Sequence, residues 1–253
     1  MKPALLLLAL CGFVASCNRT SEPSSENEKK SVPFTASELI DRCIAYHDPQ
    51  GLWANFAGKL RCVNVRSNVI YDEILEINNT TGYYKSSLKA PDAKIIRGIK
   101  NNVAFRSVDG DSTLTEKEMQ DRGLTDPMIR FWNTVHINHF GLPMEIRKSG
   151  ISLSDSVETE KFDDRECFVI KGTGKKDSVV NPFYEGEWKI YIDSQNFSVR
   201  GIEVKSAMFN TTYIIAFEGT LNLNGIILPK VKIGSDKNDP WLVSTDVFTA
   251  VAN

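Results

Sequence analysis

Three histidines, His47, His136 and His139, are the side chains of this sequence best suited to hold a metal ion or pass a proton. All three fall on apolar faces of predicted helices, and His136 and His139, three residues apart, share one face. Brought beside His47 they would form the nitrogen trio that a zinc site uses. No carboxylate-rich neighbourhood accompanies them, so the expectation is buried imidazoles with hydrogen-bonded nitrogens and no metal. Gly172-Thr173-Gly174-Lys175-Lys176 hints at a phosphate cradle, but it lacks the Gly-Lys-Ser/Thr spacing and no helix start follows; a hairpin loop is expected. Asp109-Gly110-Asp111 resembles a piece of a calcium loop lacking the bidentate glutamate that completes one, and reads as a turn. The paired carboxylates Asp72/Glu73 and Asp163/Asp164 stand at predicted strand edges, where solvated surface is the default. Nucleophile-elbow, HExxH and CxxC patterns are missing from the sequence. No catalytic residue and no cofactor are therefore assigned, and the chain is not expected to be an enzyme. With a formal net charge of −2 it also lacks the basic excess of a nucleic-acid binder.

What remains is apolar chemistry. Phe131, Trp132, Val135, Phe140, Leu142 and Met144, with Trp188 further along, could line a hollow for a hydrophobic ligand; core packing is the plainer use of each. Phe183-Tyr184 follows Pro182 in a loop and is placed at the mouth of such a hollow. At the N-terminus, Lys2 precedes an apolar run from Ala4 to Val14, too short to span a bilayer, which ends in Val14-Ala15-Ser16-Cys17. Small residues followed at once by cysteine resemble the lipobox of bacterial lipoproteins. That resemblance implies a signal peptide over residues 1–16 and an acylated Cys17, each buried methylene of the acyl chains adding about 0.8 kcal/mol of membrane affinity. Residues 17–34 are Ser, Glu, Asn and Lys with little that is apolar, and read as a flexible tether because they cannot bury enough surface to offset ordering. Cys43, Cys62 and Cys167 sit among apolar neighbours; three is odd, so at least one stays a thiol, and Cys43–Cys62 is the disulfide to look for.

The elements that must position these residues are legible from periodicity. From Glu187 to Ile233 the chain reads EWKIYID, VRGIEVK, TTYIIAFEG and GIILPKVKI, four alternating segments with short turns between them. Trp188, Ile190 and Ile192 share one face of the first, Tyr213, Ile215 and Phe217 one face of the third, and Ile227, Val231 and Ile233 one face of the fourth. A period of two with short connections predicts an antiparallel meander. Upstream, Thr35-Ala36-Ser37-Glu38 is a capping box that starts a helix with the stripe Ala36, Leu39, Ile40, Cys43, Ile44 and His47. Strands are expected around Leu60–Cys62, Tyr71–Ile77, Gly82–Leu88, Lys94–Ile99 and Asn102–Val108, then over Val157–Phe162 and Cys167–Lys171, with a last one over Leu242–Val251. Between Thr113 and Gly150 the period becomes 3.6: Thr115 opens a second capping box, and Asp126-Pro127 a helix whose apolar face runs from Met128 to Phe140. One domain is expected over residues 35–253.

This order of helix, strands, helical insertion and meander resembles the LolA/LolB-like superfamily of outer-membrane lipoprotein carriers and receptors. WKIYIDSQNFSVRGIEV is similar to that superfamily's hairpin, and GIILPKVKI to the strand carrying Leu-Pro. More narrowly, AYHDPQGLWANFAGKL, HFGLPMEI and GIILPK resemble a family of envelope lipoproteins usually given that fold. The resemblance implies a mainly β (α+β) fold, a half-open antiparallel β-barrel closed by an N-terminal helix and a central helical insertion, with acyl chains held on the concave face. Receptors in that superfamily carry an acylated cysteine and carriers do not, so Cys17 places the chain on the receptor-like side. No position here matches the receptors' exposed apolar loop residue, and lipoprotein insertion is not implied.

The expectation is thus an envelope protein, anchored through acylated Cys17 to the outer membrane, that binds a lipid or acyl chain and no nucleic acid. Its rival is a structural or interaction module of the same fold with no hollow, docking a protein partner that the sequence does not name.

Overall fold

The structure, a computed structural model, describes residues 32–67, 69–176, 184–207, 210–239 and 243–251, the side chain of His139 excepted. Thr35 caps the first helix, α1 (Ala36–His47): its hydroxyl accepts from the Glu38 N–H while the Glu38 carboxylate accepts from the Thr35 N–H. A 3-10 turn over Trp53–Asn55 follows. Five strands come next, β1 (Ala57–Arg66), β2 (Val69–Asn78), β3 (Tyr83–Lys89), β4 (Lys94–Lys100) and β5 (Val103–Val108). The helical insertion then holds α2 (Glu116–Asp121), α3 (Asp126–Phe140) and a 3-10 turn over Ile146–Lys148. Seven more strands complete the described chain: β6 (Ile151–Phe162), β7 (Arg165–Gly174), β8 (Gly186–Asp193), β9 (Val199–Ser206), β10 (Thr211–Leu223), β11 (Ile226–Asp236) and β12 (Val243–Ala250). Among the described residues no helix is long and apolar enough to cross a membrane.

These strands form one antiparallel sheet in the order β5-β4-β3-β2-β1-β12-β11-β10-β9-β8-β7-β6, open rather than closed into a barrel. Sequential neighbours pair by hairpins, and the first strand meets the last, Cys62 opposite Phe248. The edges are therefore β5 and β6, the strands between which the helical insertion departs and returns. A segment tied to both edges of a curved sheet has to cross its concave side, and a sheet with one apolar face needs such a cover. The expected mainly β architecture, with a helix at the N-terminus and a helical insertion, is what the chain adopts.

Two cores fill most of the concave side. Under α1, Leu39, Ile40 and Cys43 meet Trp188, Ile190, Ile192, Ile202, Val204 and Phe217. Under the end of α3, Phe140 packs with Trp53, Phe56, Leu60, Leu75, Tyr84, Leu228 and Phe248. Several expectations need correcting here. The buried face of β11 carries Ile226, Leu228 and Lys232, while Ile227, Val231 and Ile233 are only half-buried on the other side. Apolar residues occur on both faces of that strand, so alternation could not choose between them; pairing with Phe217 and Asp246 did. Gly172 and Gly174 are not in a loop but in β7, where Gly172 lies against Ile151 of the edge strand. Tyr184 is buried against Trp188 and guards no mouth; Phe183 lies outside the described residues. Cys43, Cys62 and Cys167 are all free thiols, each in a different cluster, so Cys43–Cys62 does not form.

Candidate ligand cavity

Beside the second of these cores, beneath α3, the fit of cover to sheet is incomplete and leaves a hollow of about 360 Å³. Period-two geometry decides what lines it. Cys62, Asn64 and Arg66 of β1, Tyr71, Glu73 and Leu75 of β2, Leu88, Arg97, Lys232, and Ser244, Asp246 and Phe248 of β12 all point to the concave side. From above, α3 contributes Trp132, Val135, His136 and Phe140. Trp132, His136 and Phe140 are spaced four apart, so they lie along one stripe of the helix.

Of the seven residues singled out by sequence, Trp132, Val135 and Phe140 line this hollow. Phe131, Leu142 and Trp188 belong to the core under α1 instead, and Met144 packs against the other core. Leu142 and Trp188 border a separate crevice of about 10 Å³, room for roughly one water. Phe131 shares its side of α3 with Val135 but stands one turn earlier, against the core under α1; Leu142 and Met144 follow the break at Gly141, and Trp188 is on β8.

The cover is anchored at both ends. Near the start of α3, Arg130 donates to Asn102 through its side-chain oxygen at 2.8 Å and its carbonyl at 2.7 Å, and Arg106 pairs with Asp126. Past its end, Trp53 Nε1 donates to Glu145 Oε1 at 2.7 Å. Gly141 lets this junction close, since a Cβ there would stand 2.4 Å from the Trp53 ring. Asp48 fixes the Trp53 turn by accepting from the Leu52 and Trp53 N–H groups at 2.7 and 2.9 Å.

The walls are not purely apolar. Glu73, expected at a solvated strand edge, is buried, hydrogen-bonded by Ser86 and 3.4 Å from Arg97 Nη2. Burial pushes its carboxyl up, but His136, Arg97 and Ser86 more than compensate and hold it below the usual range. His136 lies 2.7 Å from Tyr84 Oη and 3.9 Å from Glu73. Burial pulls its imidazole down to about 4, Arg97 and Lys232 adding to the effect against Glu73. Arg97 stacks over Trp132 at 4.8 Å, and Lys232 stands 4.1 Å over the Phe140 ring and 5.1 Å over Phe248. Across the strand pair from Lys232, Asp246 is engaged by Asn64. Burial pulls the Lys232 ammonium down to about 8 and raises the Asp246 carboxyl.

His47 and His136 serve separate networks, and the side chain of His139 lies outside what the structure describes. His47 Nδ1 donates to the Ile227 carbonyl at 2.6 Å and its Nε2 accepts from the Val199 N–H at 3.0 Å, a pair that fixes a neutral tautomer joining α1 to β9 and β11. His136 belongs to the Tyr84–Glu73 network, and among the described residues no group of three potential metal ligands comes together. Asp109-Gly110-Asp111 is a turn, with the Asp109 carboxylate accepting from the Lys94 N–H and that of Asp111 from the Thr113 N–H. Sequence reading missed Glu73, Arg97 and Lys232. A signal existed for two of them: Glu73 is in phase with Leu75 and Ile77, and Arg97 with Ile95 and Ile99, so each charge sits where its strand is buried.

A family model described as a family of unknown function, DUF6503, matches residues 4–214. No curated protein matches the sequence. Among solved structures, a LolA superfamily protein of Nitrosomonas europaea superposes with a TM-score of 0.52 at 14% identity, over 87% of this chain and 94% of that one. An outer-membrane lipoprotein-sorting domain of Vibrio parahaemolyticus gives 0.43 at 8% identity, over 85% and 89%. The fold is that of the LolA superfamily.

Proposed function

The chain belongs to the DUF6503 family, and we propose that it is a lipid-anchored protein of the bacterial cell envelope that holds an acyl chain in the hollow under α3. One observation carries this reading: a fold shared with the LolA superfamily retains about 360 Å³ of space between sheet and cover, walled in part by Leu75, Leu88, Trp132, Val135, Phe140 and Phe248. Pockets of this size with apolar walls and a few fixed polar groups are the usual form of a small-molecule site. Anchorage rests on the Val14–Cys17 lipobox, with residues 17–34 as the tether and the outer membrane as the destination. Binding is favoured over catalysis because burial pushes the Cys43, Cys62 and Cys167 thiols up and away from the reactive thiolate.

The test is lipid extraction and mass spectrometry of the full chain purified in mild detergent. An acyl-chain lipid should accompany the protein in near-equal amount, beyond any chain attached to Cys17. A Val135→Trp variant, which fills the hollow from α3, should lose most of it. Wild-type protein that carries no more lipid than the filled variant would sink the reading.

A further inference from the structure

The hollow is lopsided in charge. Arg66, Arg97 and Lys232 line it against the carboxylates of Glu73 and Asp246, three cationic groups against two anionic ones, with His136 neutral at physiological pH. The two carboxylates are already engaged, Glu73 by Ser86 and Arg97, Asp246 by Asn64. Lys232 is only 5% exposed, and among the described residues its ammonium meets the Phe140 and Phe248 rings and no carboxylate within ion-pair reach. Arg97 Nε is likewise buried without a hydrogen-bond partner. The Asp246 carboxylate across the strand pair attracts this ammonium but stays outside ion-pair distance and is held by Asn64, so a desolvated ammonium incompletely matched and an unpartnered guanidinium N–H are each costly to keep. Both border the same space and both act on the His136 imidazole, so an anion placed there lies in the field of each.

We propose that the hollow receives a single-chain amphiphile whose anionic head, a carboxylate or a phosphate, seats against Lys232 and Arg97 while its chain lies along Leu75, Leu88, Val135 and Phe248. This rests on the acyl-chain reading above and sharpens it. The volume suits one chain: about 360 Å³ falls at the lower end of the range of small-molecule pockets. The aromatic rings beneath Lys232 hold the ammonium in place before the ligand arrives, so little is lost in positioning it.

Calorimetric titration of the delipidated full chain at pH 7 with decanoate, decyl phosphate, decanol and decylammonium, each below its micelle concentration, tests this. At least one of the two anions should bind about tenfold or more tightly than decanol, as a charge-assisted contact implies, and decylammonium should bind more weakly than decanol. Which anion binds better identifies the source of the head. In Lys232→Met, a change of similar bulk, the favoured anion should fall to the affinity of decanol while decanol itself is unaffected. Decanol or decylammonium binding as tightly as both anions would overturn the anionic head and leave the acyl-chain reading standing. An anion advantage that survives in Lys232→Met would overturn the seat. If none of the four binds, the acyl-chain reading falls with it. The wild-type series decides the head-group question even if the variant does not fold.

Discussion

At the scale of single residues, the decisive feature is a set of charges placed where the strands are buried. Glu73 accepts from Ser86 and pairs with Arg97 while His136 stands 3.9 Å away, so the network is held by a carboxylate that has little access to water. His136 carries the pH dependence. Unfolded, it takes a proton near pH 6.5; folded, burial holds it neutral until about 4. Between those values the unfolded state binds the extra proton, so acid favours unfolding: stability present above pH 6.5 is lost as pH falls toward 4. By pH 5 the loss should be about 2 kcal/mol, 1.36 kcal/mol for each pH unit below the free imidazole value. Urea unfolding at pH 7.5 and pH 5 checks it, with His136→Gln as the comparison. The variant should lose correspondingly less on acidification; an unchanged pH dependence would show that His136 does not titrate this way. His47, lowered in the same direction by burial, accounts for part of any remaining slope.

At the scale of elements, the convex side is shaped by glycines under aromatic rings. Gly98 of β4 sits opposite Phe105 of β5, and a Cβ on it would stand 2.4 Å from the Phe105 ring and 2.3 Å from the Tyr84 carbonyl. Gly201 of β9 stands in the same relation to Phe162, whose ring stacks on Tyr191 at 4.4 Å. A ring laid over a strand glycine restores the packing that the missing side chain forfeits. Gly98→Ala should therefore cost about 1–3 kcal/mol in urea unfolding, since a backbone carbonyl and a ring must both move. A change under about 0.5 kcal/mol, ordinary for a surface substitution, would mean the strand has room to shift. This pattern is hidden from periodicity, which registers glycine as a gap. The helices, by contrast, announced themselves: both capping boxes form with the expected pairs, Thr35 with Glu38 and Thr115 with Glu118.

At the scale of the whole molecule, the proposed anchor would serve the proposed site. A domain on such a tether would sample the membrane surface repeatedly, raising the effective concentration of any lipid it accepts. If Cys17 bears the acyl chains, metabolic labelling with a clickable palmitate in a bacterial host should mark the wild-type chain, and Cys17→Ser should abolish both the label and partition into detergent. A labelled Cys17→Ser chain would place the anchor elsewhere or dispense with it. The Val14–Cys17 lipobox lies outside the described residues.

The sequence by itself determined the elements and their order. Alternation and helical spacing are set by local geometry, so the meander, the capped helices and the insertion dividing the strands could be read directly. It also singled out α3 as the cover, and Trp132, Val135 and Phe140 as residues that line the hollow. Only the tertiary structure decided which charges went inside, that Phe131, Leu142, Met144 and Trp188 pack elsewhere, and that the three thiols stay apart. The placement of the charges depends on register: pairing β1 with β12 and β12 with β11 sets Asn64, Asp246 and Lys232 side by side, joining the last two strands to the first. A one-residue slip would turn each of them to the opposite face, and nothing local to any one strand specifies that choice.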